Sequence, residues 1–206
     1  MTPEECLAAH ARGEPLADLD LAFIDLTGAE LAGADLSDTT LTAAHLEGAH
    51  LAEANLAGCF AAEVYLEGAR LRRVRAEGGF FQRARLVRVD LAEAVLVDCD
   101  LAGADLSQAD LTGADLTGAT LVDADLSGAR LAGARLAGAI LRGANLAGAD
   151  LTGADLTGCD LRKVNIRGAR FEGATTDGVL FYGTPPWGGP ADSRDWREAR
   201  PESGED

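Results

Sequence analysis

Residues 102–126 read AGADLSQADLTGADLTGATLVDADL, and leucine returns in them at every fifth position. The register continues unbroken from Leu16 to Phe181 and gives 34 central positions, of which 27 are leucine. A small residue, most often alanine, usually stands two positions before the central residue, and aspartate or asparagine often stands directly before it. The central positions that depart from leucine are Ala61, Ala76, Phe81, Ile166, Phe171, Thr176 and Phe181. Periodicity of this regularity predicts a repeat architecture before any other signal is considered.

A spacing of five residues fits neither a regular helix nor a flat strand. In an α-helix successive leucines would be about 140° apart around the axis, so they would not share a face. In a strand they would alternate between the two faces, because the side-chain period is two. The leucines can be buried together only if the backbone turns a corner every five residues, with glycine at the corners. Four such sides predict a square coil of about 20 residues, whose interior holds the leucines and the small residues.

Departures from the consensus recur at multiples of 20 residues, which supports the square coil. They relate Phe60 to Phe80, and Cys59 to Cys99 and Cys159. Ala61, which is small for a central position, lies 20 residues before Phe81, as close packing of one interior column requires. At about 4.8 Å per coil, roughly eight coils predict a rod about 40 Å long.

The Ala-Asp-Leu-x-x unit, seen at Ala104–Leu106 and Ala149–Leu151, resembles the repeat of the pentapeptide repeat proteins. The resemblance covers roughly 165 of the 206 residues. It implies an all-β fold, a right-handed quadrilateral parallel β-helix (solenoid) of about eight coils, with the hand taken from the family alone. We expect a capping helix in residues 1–13, the β-helix in residues 14–183, and a C-terminal cap with a flexible acidic tail in residues 184–206.

The N-terminus carries the pattern of a short capping helix, which a repeat stack needs to cover its open end. Thr2 and Glu5 have the spacing of a capping box, and a proline follows Thr2 at the first helical position. We expect a helix to about Ala11 that covers the first coil with Leu7 and Ala8.

At the opposite end Trp187 is expected to fold over the last coil. Prolines and glycines then interrupt regular structure, and residues 193–200 are expected to form two turns of helix that carry Trp196. This C-terminal segment leaves two alternatives open, a monomer or a weak dimer.

The composition points away from secretion, membrane insertion and metal binding. No apolar run approaches the ~18 residues of a membrane span and no signal sequence is present, so we expect a cytoplasmic protein without membrane contact. Cys59 and Cys99 would lie about 9–10 Å apart, beyond the roughly 7 Å between Cα atoms that a disulfide allows. No histidine and cysteine spacing predicts a metal site, and no catalytic or phosphate-binding motif occurs. We therefore expect no cofactor and no enzymatic activity.

Acidic and basic residues alternate in bands along the chain, whose formal net charge is −16. Residues 89–128 hold nine acidic residues and no basic one. Some members of the family that the repeat resembles are acidic rods that mimic DNA and bind DNA gyrase or topoisomerase IV, a role that the resemblance extends to this band. The candidate DNA-mimic acids are Asp90, Asp100, Asp105, Asp110, Asp115 and Asp125. The alternative is that aspartate before the central leucine only satisfies backbone groups at the corners.

Residues 61–88 depart most from the consensus and hold seven arginines against three acids. The arginines, termed the arginine belt, are Arg70, Arg72, Arg73, Arg75, Arg83, Arg85 and Arg88. Phe60, Tyr65 and Phe80 are expected to face outward on the same or adjacent coils, with Tyr65 below Arg85 for a cation–π contact. Exposed aromatic side chains among arginines are typical of a protein-binding hot spot. The alternative is that the arginines only pair with acids of flanking coils, and the acidic bands on both sides disfavour direct nucleic-acid binding.

The sequence therefore predicts a non-catalytic rod that acts as a rigid scaffold for protein–protein interaction. The more specific alternative is a DNA mimic that binds a type II topoisomerase and confers resistance to its poisons. A third possibility is a spacer whose rigidity is its only role. Two features separate the chain from gyrase-binding relatives: no loop insertion interrupts the repeats, and the C-terminal segment offers little apolar surface for dimerisation.

Overall fold

The computed structural model describes residues 1–188 and shows a coil that repeats every 20 residues. Apart from helix α1 at Pro3–Ala11, the described chain pairs through isolated parallel bridges rather than through extended strands. Each bridge joins residues 20 apart, from Asp20↔Thr40 to Asp160↔Leu180, and each bridging residue lies directly before a central position. The predicted coil length is therefore confirmed.

Four columns of bridging residues define four faces of the rod, numbered in the order in which the chain meets them. Face 1 holds Asp20, Thr40, Phe60, Phe80, Asp100, Thr120, Ile140, Asp160 and Leu180. Face 2 holds Asp25, His45, Tyr65, Arg85, Asp105, Asp125, Asn145 and Asn165. Face 3 runs from Glu30 to Arg170, and face 4 runs from Asp35 to Thr175. The two residues after each central residue form the corner that leads to the next face.

Backbone hydrogen bonds explain both the coil and its glycines. The N–H of Leu106 donates to the carbonyl of Asp125 in the next coil at 2.7 Å, and the N–H of Asp125 donates to the carbonyl of Ala104 at 2.9 Å. At the corner, the N–H of Ala109 donates to the carbonyl of Leu106 at 3.0 Å and closes a four-residue turn. The third residue of each such turn has a positive φ, which type II turns require and which glycine adopts without strain.

The central residues and the small residues two positions before them fill the interior of the rod. They form one continuous hydrophobic core from Leu16 to Leu161. Burying each leucine side chain contributes about 1.5–3 kcal/mol. The repeated leucines are therefore the main source of stability, and they leave the outward positions free to vary.

Phe81 is the largest side chain in the middle of this core, and small neighbours give it room. The Phe60↔Phe80 bridge places Ala61 and Phe81 on consecutive coils of one column, as the sequence predicted. Space for the ring also comes from Gly79, where a Cβ atom would lie only 2.6 Å from Phe81 Cε2. Ala76 and Phe81 line an apolar void of about 10 Å³.

The four cysteines are free and buried, so the prediction that Cys59 and Cys99 form no disulfide is confirmed. Two of these thiols act as hydrogen-bonded core side chains. The Sγ of Cys99 donates to the carbonyl of Ala76 at 2.7 Å, and that of Cys159 donates to the carbonyl of Leu136 at 2.8 Å. Cys99 and Cys159 therefore fill small interior positions with their thiol hydrogens bonded.

Helix α1 begins with the predicted capping box. The N–H of Glu5 donates to Thr2 Oγ1 at 3.2 Å, and the N–H of Thr2 donates to Glu5 Oε2 at 2.8 Å. These two bonds satisfy backbone donors that the first turn of a helix leaves free.

The face that α1 presents to the first coil differs from the predicted one. Cys6 and Ala9 are buried, whereas Leu7 is 36% exposed and Ala8 is also exposed. Cys6 and Ala9 are three residues apart and therefore lie on one side of the helix, which is the side that packs on the core. The expectation that Leu7 and Ala8 cover the coil was therefore wrong.

Trp187 covers the last coil, as predicted. Its ring contacts Phe171 and Phe181 edge to face, with centroids 5.1 and 5.3 Å apart. The helix predicted in residues 193–200, with Trp196, and the acidic tail lie outside the described residues.

Candidate functional site

The arginine belt surrounds three of the four faces of the rod, and all seven of its side chains are exposed. Its positions are Arg85 on face 2, Arg70 on face 3, Arg75 on face 4, and Arg72, Arg73, Arg83 and Arg88 at the corners. Face 1 carries Phe60 and Phe80 at the same level instead. The structure thus brings the predicted belt and aromatic residues together on consecutive coils.

Three belt arginines stand at corner positions that favour glycine. Arg73, Arg83 and Arg88 have φ values of 57°, 55° and 56°, in the left-handed region. Glycine holds every such corner of residues 128–178 except Lys163. The left-handed conformation costs a residue with a side chain about 1–2 kcal/mol. Fourteen residues other than glycine occupy such corners within residues 1–188, so this local strain is common in the fold and does not by itself mark the arginines as functional.

Three belt arginines pair with glutamates of flanking coils, as the alternative interpretation predicted. Glu93 accepts hydrogen bonds from Arg72 and from Arg73 Nε, the latter at 2.8 Å. Arg83 Nη1 lies 3.2 Å from Glu63 Oε1. The hydrogen bonds from Arg73 and then from Arg72 hold the pKa of Glu93 below its ordinary value. These pairs are exposed, so solvent screens them strongly.

The remaining belt arginines keep their charge available. Within residues 1–188, Arg70, Arg75, Arg85 and Arg88 have no carboxylate oxygen within 4.0 Å. Pairing with flanking acids therefore accounts for only part of the arginine belt.

Aromatic side chains form two stacks on adjacent faces at the level of the belt. On face 1 the rings of Phe60 and Phe80 are parallel within 1°, with centroids 5.2 Å apart, and the two residues are 49% and 40% exposed. On face 2 His45 stacks on Tyr65 at 4.5 Å, and Arg85 Cζ lies 5.2 Å from the Tyr65 ring centroid. The predicted cation–π contact is confirmed. His45 was not predicted, although its spacing of 20 residues from Tyr65 was a usable signal.

The candidate DNA-mimic acids occupy the predicted positions. Asp100, Asp105, Asp110 and Asp115 stand one on each face of a single coil, with Asp90 and Asp125 on the neighbouring coils. All six are half-buried, and each accepts a hydrogen bond of 2.8–3.1 Å from the backbone N–H two residues later. Asp110 and Asp115 also pair with Arg130 and Arg135 of the next coil, at 3.2 and 2.9 Å. These carboxylates therefore accept hydrogen bonds from backbone N–H groups at the corners, and the arginines neutralise the charge of Asp110 and Asp115 in part.

Other site chemistries find little support in the described chain. Within residues 1–188 no group of three or more histidine, cysteine or acidic side chains is placed to hold a metal ion. Burial raises the pKa of Cys99 and Cys159 to about 12, which disfavours the nucleophilic thiolate. The same residues include no helix with the length and apolar character that a membrane span needs.

Comparison with protein families matches the pentapeptide repeats in 8 copies, over residues 16–56, 49–86, 84–122, 119–158 and 139–175. Comparison with curated protein sequences gives no match.

Several solved structures resemble this chain over most of its length. One is HetL from the cyanobacterium Nostoc, a pentapeptide repeat protein involved in heterocyst differentiation regulation. Its sequence is 28% identical to this chain, and the match covers 88% of this chain and 97% of HetL, with a TM-score of 0.40. Trypsin-treated QnrB1, a plasmid-mediated fluoroquinolone resistance protein, is 18% identical over 78% of this chain and 89% of its own, with a TM-score of 0.64. The likeness to QnrB1 shows a shared fold, and the repeat match extends over most of the sequence. This chain therefore belongs to the pentapeptide repeat family.

Proposed function

We propose that this rod is a non-catalytic scaffold that binds another protein through the arginine belt and the aromatic side chains beside it. The observation that carries the proposal is the exposed Phe60–Phe80 stack, because exposed aromatic surface of this kind marks interaction sites. The belt arginines that have no carboxylate within 4.0 Å among residues 1–188 support it. The continuous leucine core supports it as well, since a rigid surface loses little conformational entropy on binding.

A DNA mimic that binds DNA gyrase or topoisomerase IV is the second candidate. The observation that favours it is the ring of Asp100, Asp105, Asp110 and Asp115, which places one carboxylate on each face of a coil. The shared fold with QnrB1 is compatible with this role, and family membership leads us to infer the right-handed sense of the helix. The corner hydrogen bonds, the pairing with Arg130 and the interruption by the arginine belt favour the scaffold over the mimic.

Affinity capture with matched variants tests the scaffold. Arg85→Asn with Arg88→Gly removes two belt charges and introduces residue types that the same columns hold elsewhere. Arg142→Ala with Arg167→Ser removes the same charge away from the belt and serves as the control. We expect wild type and control to retain a common set of proteins that the belt variant loses, although the belt variant should be at least as stable in thermal unfolding, because glycine relieves the corner strain at position 88. Identical capture by the three proteins would overturn the proposal.

The second candidate has its own assay. Supercoiling by purified gyrase is measured with and without a quinolone in the presence of the protein. A DNA mimic is expected to change the activity at micromolar concentration, and an unchanged activity would eliminate this candidate.

A further inference from the structure

We infer that the binding site lies on faces 1 and 2 between residues 45 and 88, and that it accepts an acidic protein segment with an aromatic or aliphatic anchor. Phe60 and Phe80 receive the anchor, and Arg85 and Arg88 receive the carboxylates. This inference rests on the proposed function and adds the chemistry and direction of the partner.

The two aromatic stacks belong to one continuous surface. Face 1 and face 2 are separated by a single corner, and that corner carries the Arg83–Glu63 ion pair at the same level. A segment that contacts the Phe60–Phe80 stack therefore reaches Arg85 by crossing one corner, without moving to another coil.

The residues of this surface replace side chains that stabilise the fold. Where aspartate is the bridging residue, as at Asp100, its carboxylate accepts a hydrogen bond from the N–H two residues later. Phenylalanine, tyrosine and arginine offer no such acceptor, and no side chain of residues 1–188 caps the equivalent N–H after any of the four replacements. The replacements are Phe60, Tyr65, Phe80 and Arg85. Four neighbouring positions thus give up a corner hydrogen bond and present large side chains to solvent instead.

The free charge of this surface is positive on balance. Glu47 contacts His45 at 3.0 Å and Glu63 pairs with Arg83 at 3.2 Å. Glu67, which is half-buried, has no ion pair among residues 1–188, so one unpaired glutamate stands against the two unpaired arginines Arg85 and Arg88. Arg85 stacks on a ring, and neither it nor Arg88 has a carboxylate within 4.0 Å among the described residues. A carboxylate from a partner is the group that would form hydrogen-bonded ion pairs with these guanidinium groups.

The acidic bands on either side decide the length and direction of the partner. Residues 1–60 hold eleven acids and one arginine, and residues 89–128 hold nine acids and no basic residue. One coil rises about 4.8 Å, which is less than the Debye length of about 8 Å at physiological ionic strength. An acidic chain along the axis would therefore meet repulsion within one coil of the belt, and so would a nucleic acid. A short segment that runs around the perimeter, from face 1 to face 2, stays beside the arginines along its length and lies next to fewer carboxylates than a segment along the axis.

Panning a display library of random peptides on the purified protein tests this inference. The test variant is Phe60→Thr with Phe80→Thr, because threonine occupies the same column at Thr40 and Thr120. Ile140→Thr, an exposed apolar residue of face 1 outside the site, is the control. We expect enriched peptides with net negative charge and an apolar anchor, which bind the test variant at least tenfold more weakly and the control equally well. Enrichment of basic or anchor-free peptides, or equal affinity for both variants, would overturn the inference.

Two further arms separate the possible failures. A labelled single-stranded oligonucleotide is the second probe, and binding that competes with the enriched peptides would overturn the choice of an acidic protein segment. If belt-dependent capture of proteins succeeds while panning fails, the inference falls and the scaffold stands. If both fail, both are refuted.

Discussion

Gly79 gives the sharpest test of how the core is packed. A methyl group added at Gly79 would lie 2.6 Å from Phe81 Cε2 and 3.0 Å from the carbonyl oxygen of Ala76. Among the described glycines Gly79 alone lies outside the left-handed region. Gly79→Ala therefore introduces no backbone strain, and its effect on stability reports packing against Phe81.

Two opposing effects set the size of the change. Replacing glycine by alanine restricts the unfolded chain and stabilises a protein by about 0.4–1 kcal/mol. Overfilling a packed core costs about 1–3 kcal/mol. The void beside Phe81 has room for about one water molecule, so the ring can retreat only in part. Overpacking prevails, and we expect Gly79→Ala to lower the free energy of unfolding by about 1–2 kcal/mol.

A double-mutant cycle separates this explanation from a general effect of alanine. Adding Phe81→Leu to Gly79→Ala restores the consensus pair of alanine and leucine and removes the clash. We expect the double variant to be more stable than Gly79→Ala, with a coupling energy of about 1–3 kcal/mol. Ala119→Gly is the control, because Ala119 lies in the same interior column as Gly79 but precedes a leucine, Leu121. This variant should lose stability, because removal of the buried methyl group leaves a small cavity.

Urea unfolding followed by circular dichroism measures five proteins: wild type, Gly79→Ala, Phe81→Leu, the double variant and Ala119→Gly. The slope m is compared among them, because a changed slope would indicate a change in the unfolding transition itself. The reasoning is refuted if Gly79→Ala is as stable as wild type. It is equally refuted if the two substitutions are additive, because the ring would then not occupy the space assigned to it.

Three further predictions concern the N-terminal cap, the thiols and acid stability. Thr2→Ala should lower the free energy of unfolding by about 1 kcal/mol, whereas Thr2→Ser, which keeps the hydroxyl, should match wild type in a thermal melt; equal losses would contradict the capping role. The three interior-column cysteines should resist a thiol reagent until urea unfolds the chain, because burial raises their pKa, and rapid labelling of the native protein would contradict this. Hydrogen bonds from the threonines two residues later lower the pKa of Asp150 and Asp155, so the stability they add is complete above the ordinary aspartate pKa and is lost as the pH falls through the lowered one. The melting temperature should fall below about pH 4, less steeply in Asp155→Asn, and a flat profile would refute the assignment.

The repeat period made much of this structure predictable, because it converts distance along the chain into position on the rod. Residues 20 apart are neighbours, so the Tyr65–Arg85 contact and the outward aromatic residues follow from numbering alone. The same rule would have found His45, which stacks below Tyr65. Surface columns of a solenoid can thus be predicted from sequence before any coordinates exist.

Features that depend on individual side-chain packing were not predictable. The contact face of α1, which holds Cys6 and Ala9, could not be identified from a periodic pattern, because a nine-residue helix is too short to show one. The sequence did not distinguish Arg73, which pairs with glutamate, from Arg88, which has no carboxylate partner among residues 1–188, because that depends on the conformation of long exposed side chains. The repeat pattern did not single out Gly79, because the need for glycine there depends on the direction of the Phe81 ring.

The 20-residue register also governs how this protein can change in length. Loss of one five-residue unit would preserve the order of central and corner residues, yet every residue after the deletion would move by a quarter turn onto the preceding face. A deletion between Phe60 and Phe80 would thus place the two rings on different faces. Loss of 20 residues would instead shorten the rod by one coil, about 4.8 Å, and leave the angular position of each column unchanged. Insertions and deletions of five and of twenty residues therefore act as separate controls, one on the orientation of the surfaces and the other on their separation.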